Sequence, residues 1–227
     1  MVKAIITDIE GTTTDIHFVH KVLFPYSRTK MADFLRLHQS LSDVSAVLQG
    51  IREHLNKPNA SLQDLTDQLI AWIDADMKIG YLKTLQGYIW QQGFEQGDFK
   101  GHIYPDAYRK LVTWYDQGID LYVYSSGSVQ AQQLLFQYSD FGDLRYLFKG
   151  YFDTQVGAKK EPASYAEILK RLQLTGKQVL FLSDVVAELN AARENRMQTY
   201  LLNRENDVTD THNHTSIESF TQINIAL

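Results

Sequence analysis

The alternation of strand-like and helical segments after about residue 100 is the feature that most constrains the fold. IDLYVYS, QVLFLS and QTYLL are typical of buried strands, and YFDT ends a fourth, shorter one. Helical patterns separate them over residues 106–117, 128–138, 162–172 and 187–195. Strands that alternate with helices form a parallel sheet covered on both faces. With AIIT at residues 4–7 as the first strand, the sequence predicts an α/β fold with a Rossmann-like, doubly wound parallel sheet.

Residues 16–96 interrupt this alternation, because their periodicity is helical throughout. Apolar side chains recur at helical spacing in two runs, namely Val44, Val47, Leu48, Ile51 and Leu55, and then Leu62, Leu65, Leu69, Ile73 and Met77. The segment NKPN separates the runs, and Ser61 is placed to cap the second helix. We therefore predict an α/β core of residues 1–15 and 100–227, divided by an inserted α-helical cap domain at residues 16–99.

Composition excludes several classes of protein. The net charge is -5 and no block of lysine and arginine occurs, so no nucleic-acid partner is expected. The absence of cysteine excludes disulfides, thiol catalysis and cysteine-ligated zinc, and it fits a reducing compartment. The first strand begins at Ala4, which leaves no room for a signal peptide, and no apolar run approaches the roughly 20 residues that span a bilayer. We expect a cytoplasmic monomer with no membrane association.

Polar side chains follow the predicted strands at the sheet edge where ligands bind in open α/β folds. They are Asp8, Glu10, Ser125, Ser126, Lys159, Lys160 and Asp184. Asp8 and Asp184 can ligate Mg²⁺, which prefers oxygen ligands. The serines precede a helix whose N–H groups can bind a phosphate, and a lysine adds positive charge for the same group. A cation and a phosphoryl group would offset the repulsion between Asp8 and Glu10.

Each of these residues also has a purely structural interpretation. Asp-x-Glu after a strand is commonly a turn with solvated acids, Ser-Ser-Gly commonly caps a helix, and Asp184 could cap the next helix. Lys159 and Lys160 could be a solvated pair. A functional site is favoured because every group ends a predicted strand and the charges are complementary. The histidines are interpreted as structural or surface residues: His17, His20, His102 and the HNH segment.

Four motifs, DIEGTT, YSSGS, FDTQVGAK and LFLSDV, resemble those of the haloacid dehalogenase-like phosphatases. That family has a strand ending in Asp-x-Asp, a strand ending in Ser or Thr, a lysine, and an acidic pair after another strand. The corresponding residues here are Asp8, Ser125, Ser126, Lys159, and Asp184 with Glu188. Glu10 stands where the family usually has a second aspartate. In this glutamate the sequence resembles the enolase-phosphatase (acireductone synthase) branch of methionine salvage. The resemblance covers the core from end to end and is weaker over the insertion.

The resemblance implies roles for these residues. Asp8 would attack phosphorus and form an aspartyl-phosphate, while Glu10 would protonate the leaving oxygen and then activate water. Lys159 would act in catalysis by offsetting charge on the phosphoryl oxygens. Ser125, Ser126 and Lys159 would bind the substrate phosphate.

The resemblance also implies one Mg²⁺ per chain. Its ligands would be Asp8, the backbone carbonyl of Glu10 and Asp184, with Glu188 acting indirectly through water. The implied substrate is the small molecule 2,3-diketo-5-methylthiopentyl-1-phosphate. Enolisation followed by dephosphorylation would give the acireductone 1,2-dihydroxy-3-keto-5-methylthiopentene. The cap would exclude water and receive the methylthio tail.

Three other functions stay open at this point. The nearest is a phosphatase of the same superfamily that acts on another small phosphate ester, such as a sugar phosphate or phosphoglycolate. A haloacid dehalogenase fits less well, because Glu10 and Asp184 suit a metal that dehalogenation does not need. A non-catalytic phosphate-binding scaffold would not require every charged group of the site.

Overall fold

The structure is a computed structural model that describes residues 1–225, and it divides into two compact units. The first unit combines Met1–Ile16 with the chain from Lys100 onward. The second unit is His17–Phe99. No helix among the described residues is long and apolar enough to cross a membrane.

The second unit consists of helices around one apolar cluster. Its first helix, α1 (Ile16–Phe18), begins at the last residue of the first unit's N-terminal segment. A π-helical turn (Val19–Leu23) and four helices follow, namely α2 (Phe24–His38), α3 (Ser42–His54), α4 (Leu62–Asp74) and α5 (Gly80–Gln96). Ser61 caps α4, because its hydroxyl accepts from the Asp64 N–H and the Asp64 carboxylate accepts from the Ser61 N–H. The helical pattern drawn as far as Met77 was wrong, since α4 ends at Asp74 and Met77 is 47% exposed.

One parallel sheet of six strands organises the first unit within residues 1–225. The strands are β1 (Ala4–Thr7), β2 (Asp120–Tyr124), β3 (Phe148–Phe152), β4 (Val179–Ser183), β5 (Gln198–Leu202) and β6 (Thr215–Ile217). Their order is β3-β2-β1-β4-β5-β6, and every neighbouring pair is parallel. This is the Rossmann order, so the predicted doubly wound sheet is confirmed.

Helices α6 (Pro105–Asp116), α7 (Val129–Gln137), α8 (Pro162–Leu172) and α9 (Val186–Glu194) connect these strands. Ala4 and Ile6 of β1 pack with α8 and α9 in one fully buried cluster. Ile5 points to the opposite face because side chains alternate along a strand, and it is also fully buried. Burial on both faces explains why β1 is an unbroken apolar run.

β6 is the strand that the sequence did not predict. It lies in the polar segment of residues 203–220, and it pairs with β5 at the edge of the sheet. Among its three residues only Ile217 is buried. So short a strand has no alternating pattern that sequence analysis could detect.

Strand register places the predicted functional groups at one edge. Thr7 lies opposite Val123 of β2 and Leu182 of β4. Asp8, the residues after β2 and the residues after β4 therefore follow neighbouring strands at the same level. This is the carboxyl edge next to the switch point between β1 and β4, where ligands bind in such sheets.

Candidate active site

Asp8 is a buried carboxylate directly after β1, and it is only 5% exposed. Its backbone N–H donates to the carbonyl of Leu182 at 2.9 Å, which extends the hydrogen bonding between β1 and β4 by one residue. Its own Oδ1 accepts from the Ile9 N–H at 2.7 Å. The Asp8 carbonyl accepts from the Thr13 hydroxyl at 3.1 Å. Backbone and side chain are thus fixed at the end of the strand.

A tight turn follows Asp8 and brings the backbone near Asp184. The carbonyl of Ile9 accepts from the N–H groups of Thr12, Thr13 and Thr14, at 3.2, 2.9 and 2.9 Å. Gly11 has φ +70°, and a Cβ at this position would overlap the Asp184 carboxylate. Only glycine meets both conditions, which explains its place in DIEGTT. The turn also fixes the backbone around Glu10, including its carbonyl.

Lys159 connects two buried carboxylates. Its Nζ lies 2.7 Å from Asp8 Oδ1 and 2.7 Å from Glu188 Oε2, and all three side chains are less than 10% exposed. The Ser183 hydroxyl donates to the same Glu188 oxygen at 2.9 Å. The Tyr165 hydroxyl donates to the Lys159 carbonyl at 2.7 Å, which fixes the backbone of the loop. Lys159 is therefore held at a defined distance from Asp8.

The charges of this cluster change its protonation equilibria. Burial alone would lower the pKa of Lys159, but the carboxylates of Asp8 and Glu188 raise it above its ordinary value. Burial and the charge of Asp8 raise the pKa of Glu188. Lys159 therefore stays charged at neutral pH. Lys160, next in sequence, is exposed.

Glu188 contacts Lys159 directly, and the indirect metal role that the resemblance implied for it stays a prediction. Glu188 lies in the first turn of α9, four residues after Asp184, which precedes the helix. Its carboxylate is used by Lys159 and Ser183. Glu188 thus positions the lysine, and its correspondence to the second acid of the family's acidic pair was the signal in the sequence.

Asp184 is the carboxylate that a nearby cation would stabilise. Its Oδ1 is buried and has no hydrogen-bond partner among residues 1–225. Burial, and then the charge of Asp8, raise the pKa of Asp184 to about 7. A carboxylate in this state gains stability from a nearby cation. Asp184 does not cap α9, which starts without a side-chain cap in the described part of the chain.

The donor set fits Mg²⁺. No three His, Cys, Asp or Glu side chains come close enough to bind a metal by themselves in the part of the chain that the structure describes. Mg²⁺ usually takes only one or two carboxylates and completes its shell with waters and substrate oxygens. Asp8 and Asp184, with the backbone carbonyl of Glu10 in the adjoining turn, could supply such a shell. The unpartnered oxygen of Asp184 supports this assignment.

The serine motif lies at the same edge, after β2. Ser125 is 3% exposed, and its Oγ accepts from the Gly127 N–H at 3.1 Å, so its hydroxyl proton is free to be donated elsewhere. Ser128 caps α7 by accepting from the Ala131 N–H at 3.2 Å. Ser125 and Ser126 are therefore not the cap of this helix. They lie on the loop before it, as a phosphate-binding loop requires.

Asp153 is a buried residue of this edge that sequence reasoning missed. Its Oδ1 accepts from the Gln155 N–H at 2.9 Å, and its Oδ2 lies 3.4 Å from the Val129 N–H at the start of α7. It thereby connects the loop after β3 to the loop that carries the serines. The only sequence signal was its place in the motif FDT.

The histidines of the first unit that the sequence singled out contact groups other than Asp8, Lys159 and Glu188. His102 Nδ1 accepts from the Asp15 N–H at 3.0 Å. In the HNH segment His212 is exposed beside Asp210, and His214 is buried between Thr199 and Asn190. His17 and His20 belong to the second unit.

Comparison with known proteins gives a consistent result. A family model for haloacid dehalogenase-like hydrolases matches residues 2–195. Enolase-phosphatase E1 of Serratia proteamaculans is 49% identical and covers 99% of this chain and 98% of its own. That of Methylococcus capsulatus is 50% identical and covers 93% of each. The UTR4 protein of Saccharomyces cerevisiae superimposes with a TM-score of 0.83 at 32% identity, over 98% of this chain and 100% of that one.

The sheet, the buried Asp8–Lys159 pair and the family match define a haloacid dehalogenase-like hydrolase. The identity of 49–50% to two enolase-phosphatases E1, over 93–99% of this chain, assigns the chain to a smaller family. It belongs to the enolase-phosphatase E1 family within that class.

Proposed function

We propose that this protein is a Mg²⁺-dependent enolase-phosphatase of methionine salvage. It converts 2,3-diketo-5-methylthiopentyl-1-phosphate to the acireductone 1,2-dihydroxy-3-keto-5-methylthiopentene and phosphate. The observation that carries the proposal is the Lys159 ammonium placed 2.7 Å from the Asp8 carboxylate, in a chain 49% identical to a named enolase-phosphatase. We propose a cytoplasmic setting.

Asp8 acts as the nucleophile in this proposal. Its carboxylate attacks phosphorus in line and forms an aspartyl-phosphate, and water then attacks that phosphorus to release phosphate. The pair with Lys159 keeps the Asp8 carboxylate oriented before the substrate arrives. As charge moves from Asp8 to the phosphoryl oxygens, the lysine ammonium lies beside the developing charge. Ser125 and Ser126 donate hydrogen bonds to the same phosphoryl group.

Glu10 acts as the acid and base. It protonates the leaving oxygen in the first displacement and takes a proton from water in the second. The turn held by the Ile9 carbonyl supports this role, because it fixes the backbone from which the Glu10 side chain extends. The extra methylene moves the carboxyl by about 1.5 Å relative to aspartate, which accommodates a different leaving group.

One Mg²⁺ per chain is the proposed cofactor, held by Asp8, the Glu10 carbonyl and Asp184. Once bound, it would supply positive charge to the phosphoryl oxygens and polarise a substrate carbonyl. The unpartnered Oδ1 of Asp184 and the raised pKa of its carboxyl support that ligand set.

The helical unit, His17–Phe99, is proposed to act as the cap. It has an apolar cluster of its own, and its role would be to exclude water and receive the methylthio tail of the substrate. We propose that the core, residues 1–15 with 100–227, carries the chemistry.

A two-channel assay tests the function. Purified protein is mixed with the diketone phosphate and Mg²⁺, and the ultraviolet absorbance of the acireductone and the release of phosphate are followed together. The proposal predicts one acireductone for each phosphate, with Asp8→Asn inactive in both channels. Preferred turnover of a sugar phosphate or phosphoglycolate, with no product from the diketone phosphate, would contradict it.

A further inference from the structure

Arg204 lies outside the residues assigned above, yet it contacts the turn that follows Asp8. Its Nε–H donates to the Thr12 carbonyl at 2.9 Å, although the two residues are 192 positions apart. Its Nη1 lies 3.2 Å from Asp106 Oδ2, and the Arg204 side chain is only 11% exposed. The guanidinium stacks on the Tyr104 ring, 3.8 Å from its centroid. One side chain thus connects three separate parts of the first unit.

Asp106 is itself held in place, so Arg204 has a rigid anchor. The Phe220 N–H donates to Asp106 Oδ2 at 2.8 Å, and the Ser219 hydroxyl donates to the same atom at 2.9 Å. Burial alone would raise the pKa of Asp106, but the Phe220 bond and the Arg204 charge outweigh it and lower the pKa. Asp106 is therefore ionised at neutral pH and keeps the guanidinium oriented.

The Thr12 carbonyl is a sensitive point for the candidate site. Thr12 directly follows Gly11, which lies against the Asp184 carboxylate. Glu10 directly precedes Gly11. On the other side, the Thr13 carbonyl accepts from the Tyr104 N–H at 2.9 Å. The Thr12 and Thr13 carbonyls are thus both held by groups from outside the turn, which restrains the backbone that carries Glu10 and Gly11.

One nitrogen of the Arg204 guanidinium has no hydrogen-bond acceptor among the described residues. Its Nη2 is buried and has no hydrogen-bond partner within residues 1–225. A buried donor without a partner is unfavourable, and a lysine or an apolar residue would avoid it. What the guanidinium alone provides is a planar group that stacks on Tyr104 while it donates to both Thr12 and Asp106.

We propose that Arg204 is a positioning residue that sets the geometry of the Asp8–Thr14 turn. Through the Thr12 carbonyl it fixes the Glu10 backbone and the contact between Gly11 and Asp184. Its effect on turnover rests on the proposed function, whereas its effect on the turn does not.

Three variants test the proposal. Arg204→Met removes every donor and keeps an apolar stem, and Arg204→Lys keeps the charge without the fork. Phe220→Leu is the matched control, because Phe220 is fully buried beside Arg204, 5.5 Å from the guanidinium, and makes no bond to Thr12. Thermal unfolding of each variant shows how far it is destabilised.

The first measurement is amide hydrogen exchange of the peptide that covers residues 9–14, in metal-free protein. Arg204→Met should speed exchange by about tenfold or more, as expected for loss of a charge-assisted hydrogen bond, with Arg204→Lys intermediate. Phe220→Leu should leave this peptide as in the wild type. Unchanged exchange in both Arg204 variants would overturn the proposal.

The second measurement is turnover. Loss of a residue that orients a metal or catalytic site costs about 10–100-fold, so kcat should fall by this factor in Arg204→Met while KM stays within a few-fold. An equal fall of kcat in Phe220→Leu at matched thermal stability would overturn the proposal, because it would show a general stability effect. If the wild type itself does not use the diketone phosphate, the proposed function fails, and the exchange result alone decides the role of Arg204.

Discussion

Replacing Asp184 by asparagine should stabilise the metal-free protein. The pKa of Asp184 is raised from 3.8 to about 7 by burial and by Asp8, so the folded state holds this proton more tightly than the unfolded state does. The contribution of the Asp184 carboxyl to the free energy of unfolding is therefore greatest at low pH and is lost as pH rises through 7. Roughly three pKa units correspond to ~4 kcal/mol of lost stability above pH 7.

The amide does not recover all of this free energy. It has the same shape, but its buried polar atoms still lack partners, which costs about 1–3 kcal/mol. We therefore expect Asp184→Asn to raise the free energy of unfolding by about 1–3 kcal/mol in EDTA at pH 8. At pH 5 the wild-type carboxyl is protonated in the folded state, so the gain should shrink by about 2 kcal/mol.

Urea unfolding in EDTA at the two pH values is the assay. Asp140→Asn, an exposed acid of the first unit, is the control for the change of net charge and should change stability by less than about 0.5 kcal/mol. With saturating Mg²⁺ the wild type should become more stable, by about 2.7 kcal/mol at a hundred times the Kd, and Asp184→Asn should gain less. An Asp184→Asn variant less stable than the wild type in EDTA at pH 8 would refute this reasoning.

The other predictions concern three different groups. Glu10→Gln should slow phosphate release by about 10²–10⁴-fold while Mg²⁺ affinity changes little. Enol absorbance should then rise without release of phosphate. Phosphate release by the variant at the wild-type rate would remove Glu10 from the mechanism. Lys159→Met should lower the free energy of unfolding, measured in urea at pH 7, by about 3–5 kcal/mol, since it leaves two buried carboxylates without their cation. Lys160→Met, at an exposed position, is the control and should shift this free energy by less than about 0.5 kcal/mol. Burial lowers the pKa of His214 to about 4, so its contribution to stability is complete above pH 6.5 and is lost as pH falls towards 4. His214→Gln should reduce the stability difference between pH 7 and pH 4 by roughly 3 kcal/mol, and an unchanged difference would contradict the shifted pKa.

Elements with strong local patterns could be predicted from the sequence. α8 begins at Pro162 and ends at Leu172 as expected, because proline favours the first turn of a helix and the next residue, Gln173, has φ 55°. β1 and β5 also have the expected bounds. The shared sheet edge of Asp8, Ser125 and Asp184 followed from topology, since parallel strands present their carboxyl ends together.

Contacts between distant segments could not be predicted. Arg204 bonds to Thr12 across almost the whole chain, and nothing in its local sequence indicates that partner. The pairing of Glu188 with Lys159 depends on the path of the loop after β3, which has no periodic pattern. The shift in the pKa of Asp184 depends on burial and on Asp8, so it requires the folded chain.

Trapping the phosphorylated enzyme tests most directly whether Asp8 is the nucleophile. The protein is mixed with the diketone phosphate and Mg²⁺, quenched in acid within one turnover, digested, and the peptides are analysed by mass spectrometry. If Asp8 is the nucleophile, one phosphoryl group should appear on Asp8, form and disappear at the rate of turnover, and be absent from Asp8→Asn. Phosphate release at the full rate with no phosphorylated Asp8, or with the phosphoryl group on another residue, would contradict this role of Asp8.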